Sequence, residues 1–180
     1  RYGVKNPSDV VENQLDITNK NIPYWKITDS KSKKYYNYNN SAFLKTLDEL
    51  INSSVKSQML SDVPIGAFLS GGIDSSTIVS FMQKNSRNPV NTFSIGFENQ
   101  KYNEAIYAKS IANHLGTNHT ELYVNERDAL NVIPELSCMF DEPFGDSSAI
   151  PTFLVSKLAS ESVKVSLSGD GGDDNGDDRK

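Results

Sequence analysis

The sequence predicts an α/β fold in which a parallel sheet carries helices on both faces. Short apolar runs of strand length alternate with segments whose apolar residues recur at helical spacing, the rhythm of βαβ units. The run Val63–Leu69 is nearly continuous in apolar residues, as a strand buried on both faces must be. Two of the strand runs also end in Gly-rich polar loops, and parallel sheets bind ligands beyond the carboxyl ends of their strands.

The elements follow in order. Residues 1–40 are rich in Asn, Lys, Ser and Tyr; their one apolar cluster is Ile22, Tyr24, Trp25 and Ile27, so they read as a linker with one short strand. Ser41 can cap a helix carrying Phe43, Leu44, Leu47, Leu50 and Ile51 at helical spacing. After Val63–Leu69 comes a Gly-rich turn, then a helix presenting Ile78, Val79 and Met82 on one face. Thr92–Phe97 is a second strand. Ala105, Ala108, Ala112 and Leu115 mark a helix ended by Gly116, and Thr120–Val124 is a third strand. Leu130, Ile133, Leu136 and Phe140 outline another helix, with Pro134 near its start or at a kink, and Cys138 is read as a small buried hydrophobe on it. Ile150, Leu154 and Leu158 outline a further helix. Val163–Leu167 is the last strand.

At 180 residues the chain can hold one domain with a core and a modest appendage. Its formal charge of −5 and pI near 5.0 count against a nucleic-acid surface, for which Lys31–Lys34 is the sole basic candidate. No apolar run approaches the ~20 residues that span a bilayer, and no signal-peptide pattern opens the chain. The single cysteine rules out an internal disulfide and fits a reducing compartment, so a cytoplasmic enzyme is expected. The chain opens on Arg1, and the sequence after Leu167 does not resemble the end of a domain, so it is expected to be part of a longer protein.

Leu69-Ser70-Gly71-Gly72-Ile73-Asp74-Ser75-Ser76 joins a buried strand to a helix. Two glycines let the backbone approach an anion closely, the helix start adds positive potential, and the three serines add hydroxyls. These are the requirements of a polyphosphate site. Asp74 repels phosphate unless a cation stands between them, so it argues for Mg²⁺. Gly66 and Gly71 have Walker A separation, but Gly72 stands where Lys is needed. Phe68, two residues before Ser70, likewise excludes a G-x-S-x-G nucleophile elbow.

Ser70-Gly71-Gly72-Ile73-Asp74-Ser75 matches the SGGxDS signature of PP-loop ATP pyrophosphatases, the adenine nucleotide α-hydrolase-like fold. The longer run from Ser61 to Gly72 resembles the asparagine synthetase branch of that group. Asp141–Pro151 is similar to the branch's DEPF-x-DSSAIP element, in which Ser147 or Ser148 would cap the next helix. Ser168-Gly169-Asp170-Gly171-Gly172-Asp173-Asp174 is similar to its SGDGGDE loop. Thr92–Phe97 is similar to its T-F-S-I-G-F strand, and Leu115–His119 to its LGT-x-H pattern. His119 is read as structural rather than catalytic.

The resemblance implies that the first loop holds the pyrophosphate of ATP and that Leu69, Ser70, Gly71, Gly72, Asp74, Ser75, Ser76, Ser94, Ile95, Gly96, Ser168 and Gly169 contact the nucleotide. By the same transfer Asp170 is catalytic, and Asp74 and Asp173 bind Mg²⁺. The implied reaction adenylates the side-chain carboxylate of aspartate, releases pyrophosphate, and lets ammonia from glutamine displace AMP. It further implies a glutaminase domain before Arg1, ending in residues 1–40, and a synthetase domain that begins with residues 41–174 and is inactive alone. Residues 175–180 depart from the family and carry no assignment. Partners are then small molecules and the glutaminase domain, with no nucleic acid or membrane; a homodimer is left open. A related amidotransferase or β-lactam-synthetase-like enzyme, a tRNA-modifying PP-loop enzyme, and a non-catalytic nucleotide-binding relic are the alternatives.

Overall fold

A computed structural model describes residues 41–97, 103–142 and 145–170. The chain divides into two units, Arg1–Phe43 and Leu44–Lys180; the sheet and its helices belong to the second. The cluster around Trp25, the basic run Lys31–Lys34, Asp173 and the tail 175–180 lie outside the described residues.

The described elements are α1 (Ser41–Gln58), β1 (Ile65–Phe68), α2 (Ile73–Asn85), β2 (Asn91–Phe97), α3 (Ala105–Leu115), β3 (Asn118–Val124), α4 (Glu126–Met139), α5 (Ala149–Ser160) and β4 (Val165–Leu167). All pairings are parallel and the strand order is β3-β2-β1-β4. The chain thus steps outward from β1 to β2 to β3, then returns through α4 and α5 to lay β4 on the other side of β1. The reversal falls between β1 and β4, the switch point at which open α/β sheets leave a crevice.

The pleat sends alternate residues of each strand to opposite faces. Ala67 and Leu69 join Val55 of α1, Val79 and Met82 of α2, and Ala108 and Ala112 of α3. Phe68 and Phe93 instead meet Val155, Leu158 and Ala159 of α5. Farther along, Ile95, Phe97 and Val124 pack with Val132 of α4 and Leu154 of α5. Helices therefore cover both faces, as the sequence predicts. The alanines of α3 are 0–1% exposed, so small side chains let this helix ride close on the sheet.

Several local expectations change. In α1 only Ile51 and Val55 reach the core, whereas Leu44, Leu47 and Leu50 are exposed. Asn85 of α2 donates through Nδ2 to Asn52 Oδ1 at 2.8 Å, fixing the carboxyl half of α1 to its neighbour. In α4 the buried face is Val132 and Leu136, one turn apart, which leaves Leu130, Ile133 and Cys138 exposed. Cys138, two residues past Leu136, turns to the opposite side of the helix, so it is no core residue. Pro134 lies inside α4, and Leu130, whose carbonyl it deprives of a partner, faces solvent. That helix starts at a capping box: Asn125 Oδ1 accepts from the Arg127 and Asp128 amides, and Asp128 accepts from the Asn125 amide. At α5 neither Ser147 nor Ser148 supplies the cap; Asp146 Oδ1 accepts from the Ser148 amide at 2.8 Å. No helix among the described residues is long and apolar enough to cross a membrane.

Candidate functional site

The loop after β1 is wound around its own serines. Ser70 Oγ and Ser75 Oγ lie 2.9 Å apart, the Ser70 amide donates to Ser75 Oγ, and the Gly72 amide donates to Ser70 Oγ. Ser76 Oγ donates to the Gly72 carbonyl at 2.6 Å, and Ser75 Oγ to the same carbonyl at 3.3 Å. The three hydroxyls thus hold the loop's shape. What remains for an anion is backbone: the first α2 bond runs from the Ser76 amide to the Gly72 carbonyl, so the amides of Ile73, Asp74 and Ser75 have no acceptor within the helix.

Two glycines set this geometry. Gly71 has φ +87°, and a Cβ there would lie 2.8 Å from Tyr107 Cβ and 2.9 Å from the Ala108 amide nitrogen. Only glycine combines that turn with so close an approach to α3. Gly169, in the loop after β4, is tighter still: a Cβ would lie 2.6 Å from the Ser75 nitrogen and 3.0 Å from Asp74 Cβ. The two Gly-rich loops, about 100 residues apart in sequence, therefore touch at the amino end of α2.

Asp74, Ser168 and Asp170 are all exposed at this junction. Among the described residues no three His, Cys, Asp or Glu side chains converge as a metal cluster. The chemistry of the donor set nevertheless suits a hard cation bridging phosphate, since Asp74 presents a solvated carboxylate beside the amides that open α2.

Beside the loop opens a cleft of about 660 Å³, room enough for a nucleoside. Leu69 and Ser70 line it from the end of β1, and Ser94 and Ile95 from β2. Gly96 does not line it; the Tyr123 ring and Ala105 crowd the place where a Cβ on this glycine would stand. Pro151 of α5 also lines it, and residues not anticipated from sequence complete the wall: Asn103, Glu104 and Tyr107 at the start of α3, and Thr152 and Val155 on α5. Pro151, third residue of α5, belongs to the Asp141–Pro151 segment, whose acidic start is exposed and whose Pro143 and Phe144 lie outside the described residues.

The sequence model of asparagine synthase matches residues 46–175, a span that contains β1 to β4 and both loops. The chain belongs to the asparagine synthase family. A putative asparagine synthetase (glutamine-hydrolyzing) 2 of Methanocaldococcus jannaschii is 44% identical over 152 residues, covering 84% of this chain and 28% of that protein. Asparagine synthetase (glutamine-hydrolyzing) 1 of Bacillus subtilis is 42% identical over 131 residues, covering 73% and 21%. The human asparagine synthetase is 26% identical over 166 residues, covering 86% and 29%. The chain thus spans less than a third of the length of these asparagine synthetases. Among solved structures, the NMN synthetase of Francisella tularensis covers 68% of this chain and 52% of its own at 14% identity, with a TM-score of 0.49.

Proposed function

We propose that this chain is the ATP-binding part of an amide ligase that adenylates the side-chain carboxylate of aspartate for attack by ammonia drawn from glutamine. One observation carries the reading: two Gly-rich loops meet at the switch point between β1 and β4, with a nucleoside-sized cleft beside them. The names of the asparagine synthetases above support aspartate as the acceptor and glutamine as the nitrogen source.

The assignments combine that geometry, which supports them, with the resemblance that names Asp170 and Asp173. The amides of Ile73, Asp74 and Ser75 at the amino end of α2 hold the β and γ phosphates. Leu69, Ser94 and Ile95, which line the cleft, would border the base; Ser168 and Gly169 would contact the nucleotide from the second loop, and Asp170 would serve the acyl acceptor. Asp74 and Asp173 would hold Mg²⁺, which when bound would supply charge neutralisation at the phosphates. The carboxylate oxygen of aspartate attacks the α-phosphorus, the bond to the bridging oxygen breaks, and AMP leaves when ammonia takes the acyl carbon.

Exchange of labelled pyrophosphate into ATP by the full product of the gene tests this. The expected result is exchange that requires aspartate. Exchange driven by another carboxylate instead would reassign the acceptor. Tight Mg–ATP binding with no exchange for any carboxylate would leave a nucleotide-binding relic.

A further inference from the structure

On the α3 side of the sheet a buried polar cluster lies behind the cleft wall. Thr92 and Ser94 of β2 pair in register with His119 and Glu121 of β3. Both ring nitrogens of His119 are used: Nδ1 lies 2.9 Å from Thr92 Oγ1 and Nε2 lies 3.2 Å from Ser94 Oγ. Thr92 Oγ1 also lies 3.0 Å from Thr117 Oγ1. The His119 side chain is 8% exposed, Thr92 0% and Ser94 3%. A neutral imidazole offers one donor and one acceptor, and hydroxyls complete either sense.

A carboxylate waits beside this bridge. Glu121 Oε2 accepts from Lys109 Nζ at 3.2 Å and from Tyr123 Oη at 3.3 Å. Its other oxygen, Oε1, is buried without a hydrogen-bond partner and lies 3.7 Å from His119 Nε2. Buried unpaired acceptors are costly, so a nearby charged donor would be drawn to it. Burial pushes the His119 pKa down, Glu121 opposes that and Lys109 adds to it. Among the described residues, Lys109 on α3 with Glu121 and Tyr123 on β3 makes up the titratable set around the ring, and β2 faces it with the hydroxyls of Thr92 and Ser94.

We propose that His119 is a positioning residue of the nucleotide cleft: its neutral ring ties Ser94 to Thr92 and so fixes the stretch of β2 that borders the base. This rests on the nucleotide reading above. Protonation makes Nε2 a charged donor and exchanges the Ser94 tie for one to Glu121 Oε1, which releases the cleft wall. The phosphate loop is held by its own serines, so it does not feel this exchange.

Titration calorimetry of the full chain with Mg–ATP and, separately, Mg–pyrophosphate tests the assignment, using the native protein, His119→Gln, Ser94→Ala and the double variant. Expected at pH 7.5 is about a tenfold loss of Mg–ATP affinity in each variant with pyrophosphate affinity retained, and a double variant no worse than either single. As pH falls from 7.5 through the lowered His119 titration, the native protein should lose more Mg–ATP affinity than His119→Gln, whose profile carries the nucleotide's own titration. Native Mg–ATP affinity in a folded His119→Gln, equal loss for both ligands, or full additivity overturns the proposal. If His119→Gln does not fold, Ser94→Ala decides alone: an unaltered Mg–ATP affinity and pH profile overturns it. A native protein that binds Mg–pyrophosphate but not Mg–ATP sinks the inference with the loop reading intact. One that binds neither sinks both.

Discussion

The loops that follow β1 and β4 and the cluster between β2 and β3 are both polar, but they are built oppositely. At the loop after β1 the serine side chains are turned inward to shape the chain, and backbone amides are left as the working surface. At the cluster the two strands are paired in a seven-residue parallel ladder, and buried side chains carry the polarity. The first arrangement needs particular backbone conformations, which only glycine provides. The second needs particular partners across strands, and tolerates no unpaired member cheaply.

Substitutions that separate backbone shape from side-chain chemistry sharpen this contrast. The largest effect is expected at Gly71. Gly71→Ala forces a Cβ into α3 at a positive φ and should destabilise by about 3 kcal/mol, read from denaturant midpoints. A loss below about 1 kcal/mol would show that the loop can move away from α3. Next is Asp74→Asn, which leaves shape alone. Mg–ATP affinity should fall at least tenfold, about 1.4 kcal/mol, with metal-free ATP bound no more weakly because a repelling carboxylate is gone; unchanged Mg–ATP affinity would remove Asp74 from the metal site.

Gly116→Ala is the control for glycine conformation without crowding. Gly116 caps α3 at φ +71°, and a Cβ there would meet nothing within 4 Å, so the expected cost is about 1 kcal/mol. The smallest effect is a pH dependence. Because burial depresses the His119 pKa, the unfolded chain takes up this proton first as pH falls below about 6.5. The stability it contributes is complete above that pH and is lost as pH falls through the folded value. His119→Gln should flatten that limb of the stability profile, measured by thermal melts at matched ionic strength.

The same contrast explains what the sequence made legible. The Ser70–Ser76 loop could be read because glycines and a helix start announce themselves locally, and strand order and loop contact then followed in the fold. The parallel sheet was legible from alternation of element types, with strand ends shifted by a residue or two. The cap of α5 was assigned to serine because Ser, Asp and Asn compete for that place, and the choice of Asp146 depends on how the chain enters the helix. Burial along α1 and α4 was misread at Leu44, Leu50 and Cys138 because spacing gives a stripe but not what covers it. The role of Thr92, Ser94 and Glu121 around His119 was invisible, since it follows from strand register, which no local signal encodes. The cleft wall on Asn103, Glu104 and Thr152 likewise comes from segments distant in sequence.

The placement of β4 has a consequence for how the molecule folds. Gly66 pairs with Asn91 on one side and with Ser166 on the other, so the second pairing closes a chain loop of about 100 residues where the first closes about 25. Two doublings of loop length add about 1.2 kcal/mol of closure entropy. The three-residue strand β4 also offers little ladder in return. Docking of β4 should therefore be the late, rate-limiting event, and Gly169 reaches Ser75 only when it occurs. A ligand gripping both loops would act as a clasp on the longest closure in the fold, slowing unfolding most where the chain is least able to hold itself together.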